Sequence, residues 1–321
     1  MSHKIFLTGA AGFIGSHAAE HFLQRGFSVT GIDNFDDFYS RKIKERNLST
    51  ALQHPGFRFI EGDISINETF EKLPQDIDTV IHLAAKAGVR PSILNPEAYI
   101  KHNITGTHNI LDWMKQIKIS KLIFASSSSV YGNNPKVPFS ESDNVDNPIS
   151  PYAFTKKSCE LMNYTYHHLY AMDIINLRFF TVYGERQRPD LAIYKFIDAA
   201  LEDKPVTLYG DGSTARDYTY IKDIVSGISS AFDYVQKEKK VYEIINLGNN
   251  KPLKLMELAE MIYEVTGKKK NIVYLEKQPG DVEYTCADIS KAKKLLGYSP
   301  STSIKQGLEN FASWYKTIKN S

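Results

Sequence analysis

Seven residues near the start of the chain, Gly9-Ala-Ala-Gly12-Phe-Ile-Gly15, constrain its fold more than any other stretch. They follow a β-type run, Lys4-Ile-Phe-Leu-Thr8, and lead into a helical pattern from Ser16 to Arg25 that Gly26 ends. Phe27-Ser-Val-Thr-Gly-Ile-Asp33 reads as the next strand and closes on an acid. Glycines at such spacing are a weak signal by themselves. In the order strand, glycine turn, helix, strand, acid they become a strong one. The glycines permit a tight turn and let backbone N–H groups come close to a pyrophosphate, and the helix N-terminus adds partial positive charge.

The first half of the chain repeats this alternation. Phe57-Arg-Phe-Ile-Glu-Gly-Asp63-Ile64 reads as a third strand ending in an acid, with Asp63 either against an adenine edge or capping the helix that follows. Thr79-Val-Ile-His-Leu-Ala84-Ala85-Lys86 is nearly all apolar, as a parallel strand covered on both faces should be. Small residues at its end let a cofactor lie against the backbone. Pro96 to Lys118 reads as one long helix carrying Asn103, Tyr152 to Tyr170 as another, and Ile174-Ile-Asn-Leu-Arg-Phe-Phe180 as a strand. Strands alternating with helices, without hairpin signals, predict an open parallel sheet with helices on both faces, a Rossmann-like doubly wound α/β fold. Ligands of such sheets sit beyond the strand C-termini. There Asp33 is placed to accept from both ribose hydroxyls of an adenosine and to repel a 2′-phosphate, which favours NAD over NADP. Arg41 and Lys42 weigh the other way, since either side chain is long enough to reach such a phosphate.

After Thr181 the alternation breaks. A polar, cationic segment around Arg186 and Arg188 precedes a helix from Leu191 to Leu201 and a strand and turn from Val206 to Asp217. Tyr220 to Tyr234 reads as a helix and Tyr242 to Gly248 as a strand, both able to return to the main sheet. Leu253 to Thr266 is a helix, and the tail from Gln278 to Lys319 ends in another. The division this predicts is a cofactor-binding unit, 1–180 with return segment 218–248, and a smaller C-terminal unit, 181–217 and 249–321, closing over the sheet edge.

The chemistry-bearing stretch is Lys121-Leu-Ile-Phe-Ala-Ser-Ser-Ser-Ser-Val-Tyr-Gly132, followed by Ser150-Pro-Tyr152-Ala-Phe-Thr-Lys156. The first reads as a buried strand ending in hydroxyls. The second places Tyr152 and Lys156 at i and i+4, on one face of a helix. A phenol has an ordinary pKa of about 10 and is a poor base at neutral pH. A neighbouring ammonium and a bound cation both favour the phenolate, and a strand-end serine can share the proton. That set can take a proton from an alcohol while another group takes the hydride. The ordinary alternative is an amphipathic helix with a buried tyrosine and a surface lysine.

Composition excludes several classes. The formal net charge is +2, which implies no nucleic-acid partner. Cys159 and Cys286 are far apart, match no metal-ligand spacing, and their scarcity fits a reducing compartment. No signal peptide is read at the N-terminus, and no apolar run approaches the ~20 residues needed to span a bilayer. The expectation is a cytoplasmic protein with no metal.

Gly9-x-x-Gly12-x-x-Gly15, Asp33, Asn103, Ser-Ser-Ser-Ser-Val-Tyr-Gly and Tyr152-x-x-x-Lys156 together resemble the extended short-chain dehydrogenase/reductase family, specifically its nucleotide-sugar epimerases. The resemblance covers essentially the whole chain. It implies Ser127, Tyr152 and Lys156 as the catalytic group. It implies Gly9, Gly12, Phe13, Ile14, Gly15, Asp33, Asn34, Asp63, Ile64, Leu83, Ala84, Lys86, Asn103, Tyr152, Lys156 and Phe180 around NAD. Thr181, Tyr209, Arg216 and Asp281 then hold the UDP part, with Gln278 where related epimerases often carry an arginine.

In sugar-nucleotide 4,6-dehydratases the positions of Ser128 and Ser129 carry Asp and Glu, and UDP-glucuronate decarboxylases carry Glu at Ser129. A hydroxyl cannot replace those acids at neutral pH, so plain epimerisation is favoured. Asp33-Asn-Phe-Asp-Asp-Phe-Tyr and Arg186-Gln-Arg188-Pro-Asp-Leu-Ala are similar to segments of UDP-glucuronate 4-epimerases. Arg188 then faces a substrate carboxylate, with Arg90 as a second candidate and Ser127 and Ser128 as hydroxyl partners. The resemblance implies an NAD-dependent isomerase acting on UDP-glucuronate and UDP-galacturonate, assembled as a homodimer. The alternatives are a UDP-glucose or UDP-N-acetylglucosamine 4-epimerase and a non-catalytic NAD sensor.

Overall fold

The computed structural model describes residues 2–276 and 282–319. The first half runs β1 (Lys4–Thr8), α1 (Phe13–Gln24), β2 (Ser28–Asp33), α2 (Arg41–Leu52), β3 (Phe57–Glu61) and β4 (Thr79–His82). Then come α3 (Val89–Leu94), α4 (Pro96–Tyr99), α5 (Gly106–Gln116), β5 (Lys121–Ser127), α6 (Pro151–Tyr170) and β6 (Asp173–Phe179). The second half runs β7 (Thr181–Tyr183), α7 (Ala192–Leu201), β8 (Val206–Tyr209), β9 (Ala215–Tyr220), α8 (Ile221–Lys237) and β10 (Tyr242–Leu247). It ends with β11 (Pro252–Lys254), α9 (Leu255–Thr266), β12 (Ile272–Leu275), α10 (Ser290–Leu296) and α11 (Ile304–Lys319).

Seven of these strands form one parallel sheet in the order β10-β6-β5-β4-β1-β2-β3. Its strands bury both faces, and the alternation of side chains divides the core in two. Ile5 and Leu7 of β1 join the cluster that holds Ala18, Phe22, Ile228 and Phe232, while Phe6 joins the one that holds Ile110, Met114, Leu122 and Phe124. Thus α1 packs against α8 on one face and α5 against α6 on the other. Strand order reverses between the parallel neighbours β1 and β4, so a crevice opens beyond their C-terminal ends. Two small sheets, β11-β9-β7 and β12-β8, are built from the second half.

The sequence-based elements hold with specific differences. The first helix begins at Phe13 rather than Ser16, with Gly12 as its N-cap. The third strand ends at Glu61, and Asp63 lies beyond it in a turn. The helix expected over 96–118 is broken: a π-helical stretch, Ile100–Thr105, separates α4 from α5. β7 and β11 were not foreseen. They are three residues each, too short to show a period-2 pattern. Residues 242–247 do return to the main sheet, beside β6.

Candidate active site

The crevice between β1 and β4 is a cavity of about 510 Å³, within the range usual for small-molecule sites. One end is made by the glycine turn. Gly9 has φ +71°, and a Cβ there would lie 2.9 Å from the Ala84 backbone nitrogen. A Cβ on Gly15 would fall 1.9 Å from the Gly9 carbonyl oxygen. Any side chain at either place would separate the turn from the end of β4 or from helix α1. Gly12 offers no side-chain cap, so the first-turn residues Phe13, Ile14 and Gly15 meet the cavity with N–H groups that the helix itself does not use.

Asp33 fixes the edge of this end. It accepts from the Phe35 N–H at 2.9 Å and the Ala11 N–H at 3.1 Å. Burial pushes its carboxyl up, opposed chiefly by the Lys44 ammonium. Asp63 accepts from Ser65 and from Asn34 Nδ2 at 3.1 Å, forming a turn rather than a helix cap. Burial works to raise the Asp63 carboxyl, but His102, Ser65 and Asn34 together hold it below the usual range.

A buried relay that sequence reasoning missed holds the opposite wall. Thr8 lies level with His82 in the β1–β4 register. The Thr8 hydroxyl accepts from the Leu83 and Ala84 N–H groups at 3.1 and 3.0 Å, which leaves its own hydrogen for His82 Nδ1 at 2.6 Å. His82 Nε2 then donates to Thr107 Oγ1 at 3.1 Å, and Thr107 to the Asn103 carbonyl at 2.6 Å. Burial, aided by the Lys156 charge, pulls His82 down to about 3, so the ring is neutral at working pH.

Asn103 was expected against the cofactor. Instead its side chain donates to the Lys86 carbonyl and to Thr155, and accepts from the Lys86 N–H at 2.8 Å. It is buried outside the cavity wall and fixes the loop after β4 to α6. The π-helical turn, a device common at functional sites, carries it.

Ser150 caps α6 by accepting the Ala153 N–H, and Pro151 starts the helix, so Tyr152 and Lys156 both face the cavity as their spacing predicts. Lys156 Nζ donates to the Ala125 carbonyl at 2.7 Å and lies 4.9 Å from the Phe124 ring centroid. Burial pulls its ammonium down to about 8, with Cys159 and Glu160 holding it up. Burial pushes the Tyr152 phenol up, and the groups that pull it down are the Ser127 hydroxyl and the Arg188 charge. The strand-end serine acts as expected, while Lys156, also expected to favour the phenolate, is not among these groups. Ser127, Ser128 and Ser129 line the cavity beside this pair.

One turn beyond Lys156, Glu160 forms a fully buried pair with Arg178, Nε and Nη2 donating at 2.9 and 2.8 Å, and accepts from Ser126 at 2.6 Å. Sequence reasoning missed it, because α6 and β6 meet only in the fold.

The other end is built from charges. Arg188 and Thr181 line the cavity, as do Phe180, Asn34, Ile64, Leu83, Ala84 and Lys86. Lys86 pairs with Asp36 at 2.8 Å. Arg188 donates to Asp190 from Nε at 3.0 Å and Nη2 at 2.8 Å. Arg90 stands 5.6 Å from the Tyr209 ring centroid, and Arg216 donates to the Ala215 and Glu283 carbonyls. Arg90, Tyr209 and Arg216 lie outside the cavity wall, and Asp281 and Gln278 lie outside the described residues.

The donor set suits a dinucleotide. The glycine turn, the helix N-terminus with its unused N–H groups and the Asp33 carboxylate line one part of the cavity, and the hydroxyls of Tyr152 and Ser127 follow beyond them.

Comparison with known proteins agrees. Residues 6–311 match the profile of the family described as GDP-mannose 4,6 dehydratase. A UDP-glucuronate 4-epimerase of Thermodesulfobacterium geofontis is 45% identical over 314 residues, 97% of this chain and 95% of that one. The crystal structure of a UDP-glucuronic acid 4-epimerase from Bacillus cereus, in complex with UDP-glucuronic acid and NAD, superposes with a TM-score of 0.93 at 40% identity, covering 98% of this chain and 99% of that one. A UDP-glucose 4-epimerase from Thermotoga maritima with UDP-glucose gives 0.90 at 31% identity over 98% and 99% of the two chains.

Proposed function

The chain belongs to the GDP-mannose 4,6 dehydratase family, and on that footing we propose that it is an NAD-dependent UDP-sugar 4-epimerase acting on UDP-glucuronate and UDP-galacturonate. One observation carries the reaction type. Beside Tyr152 and Lys156 the cavity presents the hydroxyls of Ser127, Ser128 and Ser129 and no acid at these positions, so nothing there can drive water elimination. Bound NAD would supply the acceptor and donor of the C4 hydride and a positive charge beside the phenol. Gly9 to Gly15, Asp33 and the wall of Leu83 and Ala84 would hold it. Tyr152 takes the proton of the C4 hydroxyl, shares it with Ser127, and returns it after the 4-keto sugar has turned in the pocket. The Ser127 hydroxyl and the Arg188 charge favour the phenolate, while Lys156, fixed on Ala125, keeps an ammonium on the same cavity wall.

A 4-keto uronate is a β-keto acid prone to lose CO2. Arg188, with the hydroxyls of Ser127 and Ser128, holds the carboxylate and slows that loss. The neutral-sugar reading keeps one support, the Asp190 carboxylate already on Arg188. Thr181, Tyr209, Arg216 and Asp281 are proposed for the UDP part, and the division at residue 180, with 218–248 returning, for the two units.

We also propose a homodimer formed through α6 and its neighbours. Ile100, Phe154, Leu161, Tyr164 and Leu169 are exposed there, an apolar surface that a second copy would cover. Light scattering at micromolar concentration should give twice the chain mass; the single-chain mass would refute it. No helix among the described residues is long and apolar enough to cross a membrane. Scarce cysteines support a cytoplasmic location.

The test is purified protein, with no added cofactor, on a panel of UDP-sugars resolved by NMR. UDP-glucuronate should give UDP-galacturonate. Turnover confined to UDP-glucose or UDP-N-acetylglucosamine would move the assignment to a neutral-sugar epimerase, and no turnover on any sugar would favour the sensor.

A further inference from the structure

The Arg188 guanidinium has an edge and a face, and both are engaged. Its Nε and Nη2 edge donates to the two oxygens of Asp190 at 3.0 and 2.8 Å, the bidentate geometry of carboxylate recognition. Nη1 reaches the Ala87 carbonyl at 3.5 Å, and the group lies 5.0 Å from the Phe38 ring centroid. Arg188 lines the same cavity as Tyr152, Ser127 and Ser128, so this fork stands at the reacting end of the cavity. A substrate carboxylate cannot use the same edge while Asp190 holds it.

We infer that Asp190 determines specificity by carboxylate exchange: it occupies the Arg188 fork before a uronate binds and yields it to the substrate's carboxylate. The inference rests on the proposed uronate reading. The exchange is cheap on three counts. The guanidinium trades one carboxylate for another, so its charge stays paired. The Asp190 side chain is 37% exposed and returns to water. It also sits just ahead of α7, where the helix N-terminus favours negative charge. A neutral sugar, with a hydroxymethyl group at C5, brings nothing to displace it, and the same internal carboxylate helps to detach a uronate product.

The experiment measures binding and turnover of UDP-glucuronate and UDP-glucose with Asp190→Asn, Arg188→Ala and the double variant, with melting temperatures to confirm folding. An exposed ion pair is worth about 0.2–1 kcal/mol, so Asp190→Asn should tighten UDP-glucuronate by about 1.4- to fivefold while UDP-glucose stays within its error. The gain should vanish in the Arg188→Ala background. Unchanged or weaker UDP-glucuronate binding in Asp190→Asn, while Arg188→Ala still loses it, overturns the exchange alone. A gain that survives without Arg188 also overturns it, since repulsion would then suffice. If Arg188→Ala binds and turns over UDP-glucuronate as the parent does, the uronate reading itself falls.

Discussion

The two ends of the cavity are built from different materials. At the glycine end the polar groups are buried and bonded to backbone: Thr8 to the Leu83 and Ala84 N–H groups, Asn103 to Lys86, Lys156 to Ala125, Asp33 to Ala11 and Phe35. At the far end Arg188 and Asp190 hold each other in partial contact with solvent. Leaving a buried donor or acceptor without a partner costs about 1–3 kcal/mol, so the first arrangement has one state. Exposed pairs are worth ~0–1 kcal/mol and change partners easily. The first suits a cofactor regenerated in every cycle and never released. The second suits a sugar nucleotide that must enter, turn over and leave.

If this contrast is right, the largest effect should come from the proton-handling phenol between the two ends. Tyr152→Phe should lower turnover by ~10²–10⁴-fold, the usual value of general acid–base catalysis, while the protein as purified keeps its NAD by absorbance. A parent-like rate would remove Tyr152 from the chemistry, and loss of NAD would assign it to the cofactor's holder.

Glu160→Ala should be the costliest change to the fold. It strands the Arg178 guanidinium, 1% exposed, and breaking such a buried pair costs about 3–5 kcal/mol. Urea unfolding reads this directly. A loss under 1 kcal/mol would mean that the pair does not hold α6 against β6.

Acid should also weaken the glycine end. The His82 pKa is about 3 in the fold, against 6.5 unfolded. As pH falls below 6.5 the unfolded ring takes up a proton that the folded ring refuses, so stability is full above 6.5 and is lost toward 3. At pH 5 the His82 share is about 2 kcal/mol, from 1.36 kcal/mol per unit, and His17, pulled down to about 4 by burial, acts in the same direction. Equal or greater stability at pH 5 than at pH 7 would contradict the buried relay.

The same contrast explains what the sequence made legible. The glycine turn, Asp33 and the Tyr152–Lys156 spacing are local patterns, each contained within one or two elements. Thr8–His82–Thr107 and Glu160–Arg178 are not, because their partners meet only through strand register and helix packing. His82 had no local signal beyond being a polar residue inside an apolar strand, and that was the cue available. Asn103 was found by resemblance but stands behind the wall rather than in it, since the π-helical turn that aims it leaves no periodic trace. Arg188 lines the cavity. Its Asp190 partner stood two residues away in the same segment, and only the fold shows the two side chains turned toward each other.

The central claim is that charge at the far end selects the substrate. The most direct measurement is the ratio of kcat/KM for UDP-glucuronate to that for UDP-glucose, in the parent and in Arg188→Ala. A charge-assisted bond is worth about 1.5–3 kcal/mol, so the variant should lose roughly 10- to 100-fold with UDP-glucuronate. Any activity on UDP-glucose should fall much less, by what the loss of the Arg188 charge at the Tyr152 phenol alone causes, and some decarboxylated pentose product should be released. Equal losses on both sugars would contradict the claim and place Arg188 on the shared nucleotide or in the scaffold.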